Sequence, residues 1–258
     1  MLGWWKAHKR AKWAADPFPP GWLAHLDSNV PFFGCIGEPE RTRFLGMVHA
    51  FVREKYWIGA AELDVSDEMR VTIAAAAVRL VLHLDLAVYN DLTEIVVYPG
   101  AYQHPKSDGI ILGEAHTWGT VVLSWPAVLR GLRNPEDGHD TATHEFAHVL
   151  DIASGTFNGT PRLHDRDDYR PWAVVLDRHF RRLQRAGRAE RKVLRDYGAT
   201  NEAEFFAVAT EAFFEKPRQM KQRLPELYDV LAKLYRLDTA ADANDGAPTG
   251  RCLDRRDG

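Results

Sequence analysis

Between Asp140 and Ala153 the chain reads DTATHEFAHVLDIA, an apolar helical run interrupted by two histidines and a glutamate. Phe146, Ala147, Val149, Leu150 and Ile152 make this helix largely apolar, so it belongs in the interior. Burying His144, Glu145 and His148 with it is costly unless each finds a partner. The fold must therefore enclose a helix that carries a polar stripe. His144 and His148 are four residues apart, close to one turn, and both imidazoles leave the same face. That spacing supplies two corners of a tetrahedral zinc site, with one ion per chain. Glu145, beside the first histidine, points toward the open coordination position and can take a proton from water there. The bland alternative is a helix with two half-buried histidines.

A catalytic zinc needs a third protein ligand and an open fourth position. His148 is followed by VLDIASGTFNG, which offers no histidine or aspartate at the spacing of the long HExxHxxGxxH pattern. Downstream, in NEAEFFAVATEAFF, Glu204 and Glu211 are seven residues apart on one helix face among Phe and Ala. Either could bind the metal while the other hydrogen-bonds a ligand. Asp151, three residues after His148, is a second candidate for holding a ligand ring.

The spacing of apolar residues predicts helices over 41–55, 68–84 (capped by Asp67), 140–153, 170–187, 201–215 and 218–236. The β-branched runs EIVVYP and GTVVLS predict strands at 94–99 and 119–124. The block from Gly113 to Ser124 is expected to form a sheet edge beside the metal, where an extended peptide substrate adds as a further strand. Residues 1–30, rich in Pro and Trp, read as an arm on the body. Residues 31–237 read as the catalytic domain, and 238–258 as a disordered tail with almost nothing to bury. The expected class is α+β: a mostly helical single domain with a small central sheet and a zincin-type core.

Net charge is −3 and no long basic run occurs, which argues against nucleic acid as a partner. Cys35 and Cys252 lie far apart and supply no paired-thiol metal motif. The start of the chain has no continuous apolar run with a small-residue cleavage site. The most apolar stretch, Val71 to Tyr89, is broken by Arg79, His83 and Asp85, so no membrane span is expected. Cytoplasmic location is the resulting expectation.

The blocks IAAAAVRLVLHL, EIVVYPGAY, GEAHTWGTVVLSW, HEFAHVLD, SGTFNGTPRL and AEFFAVATEAFF together resemble the Mlc titration factor A family of bacterial zinc peptidases. The likeness extends over most of the chain. The catalytic core is also similar to that of anthrax lethal factor, where a comparable segment follows the HExxH helix. Both resemblances imply Glu204 as the third metal ligand, in the gluzincin manner, and Tyr197 as a phenol that stabilises the oxyanion. The family further implies aminopeptidase activity on small peptides and binding of the glucose repressor Mlc. A second expectation, of a different kind, is a zinc-containing binding protein that sequesters a transcription regulator without catalysis.

Overall fold

The computed structural model describes residues 2–103 and 110–241. Helices α1 (Leu2–Ala15), α2 (Pro20–Asn29), α3 (Glu40–Glu54) and α4 (Asp67–Val81) precede the sheet strands β2 (Glu94–Tyr98), β5 (Gly113–His116) and β6 (Thr120–Ser124). Strand β1 (Tyr56–Gly59) lies between α3 and α4, and a short hairpin, β3 (Tyr102–Gln103) with β4 (Ile110–Ile111), lies between β2 and β5. After the sheet come α5 (Trp125–Arg133), α6 (Thr141–Ile152), α7 (Tyr169–Gln184), α8 (Glu190–Val193), α9 (Glu202–Glu215), α10 (Pro217–Arg223) and α11 (Pro225–Tyr235). The class is α+β, as the sequence predicts. No described helix is long and apolar enough to cross a membrane.

Helices α1, α3, α4, α6 and α9 are successive neighbours, and the sheet meets α6 through β5 and β6. In α4 the run Ala74–Ala77 is completely buried. Such small side chains let α3 and α6 approach closely, and a larger residue there would overpack the core at about 1–3 kcal/mol. Phe146 of α6 sits edge-on to Phe51 and Tyr89 at ring separations of 5.9 and 5.7 Å, which fixes the rotation of the helix that carries the histidines.

The sheet runs β1-β2-β6-β5, with the first three strands parallel and β5 antiparallel at the edge. This corrects the expectation that the whole block from Gly113 to Ser124 forms the edge: residues 120–124, in β6, are paired on both sides, and among the described residues the edge strand beside α6 is β5. Other boundaries differ too: α4 ends at Val81 and α7 at Gln184, each three residues before the expected end. Ser66 rather than Asp67 caps α4, its Oγ accepting from the Met69 amide. The helix expected over 218–236 is two, because Pro225 has no N–H to continue α10 and instead begins α11.

The segment read as an arm is helical. Helix α1 leaves Trp4 and Trp5 exposed and buries Arg10 against the Glu54 carboxylate, so no apolar stripe marks it in the sequence. Of the expected tail, Asp238 accepts from the Tyr228 hydroxyl and Thr239 donates to the Phe213 carbonyl. Residues 242–258 lie outside the described residues.

Glu215 closes α9 with its carboxyl buried, and Oε2 has no hydrogen-bond partner among the described residues. Burial first, and the nearby Asp140 second, raise its pKa to about 9 against the opposing pull of Arg79. The folded state therefore holds a proton that the unfolded chain releases above its ordinary value of 4.5. Stability contributed by the protonated form is complete below that value and declines as pH rises toward about 9. Glu215→Gln, which mimics the protonated acid, should melt higher than wild type by a margin that widens from pH 5 to pH 9. A margin that stays constant across thermal melts in that range would contradict it.

Candidate active site

Helix α6 is held at its start by Asp140, whose carboxylate accepts from the Thr143 amide at 3.0 Å and hydroxyl at 2.7 Å. Helix α9 starts at Asn201, whose side chain accepts from the Glu204 amide at 2.9 Å. Capped this way, the first turn of α9 sets Glu204 opposite the two histidines of α6. His144 Nε2, His148 Nε2 and a Glu204 carboxylate oxygen converge, all lying within 4.8 Å of one another. The sides of the triangle are 2.9 Å from His144 to Glu204, 3.1 Å between the imidazoles, and 3.4 Å from His148 to Glu204.

The other side of the His144 ring explains the tautomer. Nδ1 lies 2.7 Å from Glu211 Oε1, and Glu211 is fully buried. An Nδ1 proton donated to Glu211 leaves Nε2 as a lone pair facing the His148 ring and the Glu204 carboxylate. Three such donors repel each other unless a cation lies between them. Burial disfavours charge on His144, yet hydrogen bonds to Glu204 and Glu211 outweigh it and raise its pKa to about 10. Without an ion the ring therefore takes a second proton, on Nε2, which relieves that repulsion. The neutral ring with a free Nε2 is the form that binds a cation. The same contacts with His144 and His148 hold Glu204 well below the usual carboxylate range despite its burial. The donor set also fits a metal by size. Ligands about 2.0–2.1 Å from a tetrahedral ion are separated by about 3.3–3.4 Å, near the upper side of this triangle.

Glu211 is fixed on every side. Oε2 accepts from the Asp140 amide at 2.8 Å, and the Arg195 guanidinium pairs with Oε1. Arg195 also donates to the Gly138 carbonyl at 3.0 Å. Asp151, the other candidate for orienting a ligand, does something different: its carboxylate takes the amides of Gly159 at 2.7 Å and Thr160 at 2.9 Å. It thereby ties the loop after α6 back to the end of that helix. Gly159, at φ +75°, passes so close to the Glu202 carbonyl that a Cβ would lie 2.4 Å from it.

The donors lie in a cleft of about 480 Å³ whose walls include Leu112, Gly113, Glu114 and Ala115 of the edge strand segment, with Phe157, Arg195 and Tyr197 opposite. Glu145 lines the same cleft and is buried; burial raises its pKa, while His144 and His148 oppose the rise. Tyr197 is half exposed in the turn before α9, its ring 5.9 Å from that of His144. Burial, then Glu204 and Glu145, push its hydroxyl up to about 12, so it remains a donor near neutrality. His139 is exposed at the rim. Arg195 and Gly113 were not singled out from the sequence. An arginine between Leu194 and Asp196 reads as surface charge, and nothing local marks Gly113 as facing Glu145.

Among similar proteins, an uncharacterised protein of Synechocystis sp. is 36% identical over 237 residues, covering 86% of each chain. Mlc titration factor A of Edwardsiella ictaluri is 28% identical over 256 residues, covering 92% of this chain and 94% of its own. Mlc titration factor A of Pectobacterium atrosepticum is 28% identical over 239 residues, covering 85% and 87%. A sequence profile of known peptidases matches residues 3–236, which takes in the cleft, both helices and the sheet, and the chain belongs to the family of that profile, the glucose-regulated metallo-peptidases M90.

Proposed function

We propose that this chain is a zinc-dependent aminopeptidase acting on small peptides, with His144, His148 and Glu204 holding the ion. The observation that carries the reading is the convergence of these three donors beside Glu145 at the base of a cleft bordered by an open strand edge. A zinc ion in that position lowers the pKa of water and polarises a carbonyl. Glu145 accepts a proton from the attacking water and delivers it to the departing amine. Tyr197 donates a hydrogen bond to the carbonyl oxygen as negative charge develops there.

The peptide lies along β5. The Ser124 amide donates to the Leu112 carbonyl at 2.9 Å, and Gly113 is opposite Leu123. In an antiparallel pair the inward and outward polar groups alternate, so Gly113 and Ala115 turn their N–H and C=O groups to the free edge. An extended substrate takes those groups as an added strand.

Turnover of a chromogenic aminoacyl substrate, abolished by a chelator and restored by zinc, is the expected result. Turnover indifferent to the chelator would overturn the metal reading. A second reading is favoured by the relatives' name: binding an Mlc-like repressor, with the metal serving the fold. Repressor binding that survives Glu145→Gln would separate the two roles.

A further inference from the structure

We infer that Gly113 is a positioning residue for the catalytic carboxylate, an inference that rests on the peptidase reading of the cleft. Gly113 begins β5, and its partner across the strand pair, Leu123, is completely buried, so position 113 faces the interior and α6. A Cβ built there would lie 2.7 Å from both Cγ and Oε1 of Glu145 and 2.9 Å from Cγ2 of Thr141. The strand backbone thus lies directly on the Glu145 side chain, with no space for a methyl group between them. Glu145 is itself buried, so it has little room to move aside within the protein. Glu145 also lines the cleft, so its side chain yields in that direction, where the carboxylate would be displaced from the water it must deprotonate. The residue that presents backbone groups to the peptide also sets the depth at which Glu145 rests. Strand position and proton acceptor are therefore fixed by one contact.

The test uses Gly113→Ala in the full chain loaded with zinc. The expected result is unchanged zinc content, a KM within about twofold of wild type, and a kcat lowered by about 10²-fold, the scale of a misplacement near 1 Å. Glu145→Asp, which withdraws the carboxylate by one methylene, should cost less kcat in the Gly113→Ala background than in wild type. In metal-free protein, Gly113→Ala should lower Tm when Glu145 is present and lower it less when Glu145 is Ala. Independent effects at the two positions, in both kcat and Tm, would overturn the assignment. Rescue of Gly113→Ala by Thr141→Ser would also overturn it, because the displaced group would then be Thr141. Absence of turnover by the wild-type enzyme would sink the peptidase reading first, and the Tm comparison would still decide the contact.

Discussion

Glu145→Gln should keep a full complement of zinc and lose hydrolysis by about 10²–10⁴-fold, the usual contribution of a positioned acid–base group. Gln has the size and hydrogen-bonding reach of Glu but cannot accept the proton that water must release. Glu145 is not among the three converging donors, so metal content should be unaffected. The surroundings of the carboxylate suit a proton acceptor, since burial raises its proton affinity while the two histidines keep the rise in check. Metal analysis after dialysis, run beside steady-state kinetics, tests both halves. Retention of more than about a tenth of wild-type turnover would give Glu145 another role, since that loss is smaller than general-base catalysis ordinarily contributes.

The parts of this site that were legible in the sequence are those fixed within one helix. His144 and His148 share a face by helical geometry alone, Glu145 follows the first of them directly, and the apolar residues between them announce burial. Glu204 and Glu211 shared a face too, but periodicity could not rank them. Their different placements follow from where α9 crosses α6, which is a tertiary fact: its first turn meets Nε2 of both histidines and its third turn meets Nδ1 of His144. The sheet was legible as two β-branched runs but not in its order. Which strand is the edge depends on β5, whose residues Gly113, Glu114, Ala115 and His116 carry no β-branched signal. Asp151 shows the opposite error. Its position on the ligand face was real, yet two loop amides nearer to it claimed its carboxylate. Arg195 acts at a distance in sequence, through Glu211, and no local pattern could have announced it.

The sharpest distinction to be measured is between those two glutamates. Glu204→Ala should lose most bound zinc, because it removes both a direct donor and the negative charge that faces two imidazoles at 2.9 and 3.4 Å. Glu211→Gln should retain zinc at stoichiometric protein concentrations, with affinity or activity lowered by about 10–100-fold, the typical effect of loosening a group that orients a ligand. Gln is the informative substitution at position 211. Alanine would leave the Asp140 amide, the His144 ring proton and the Arg195 guanidinium without their common acceptor. Breaking a buried charged pair costs about 3–5 kcal/mol, enough to confuse metal loss with unfolding. A Glu211→Gln protein that melts near wild type yet binds zinc more weakly would show that the carboxylate acts through the His144 ring. Full zinc in Glu204→Ala beside an empty site in Glu211→Gln would reverse the two roles and move the ion to the back of His144.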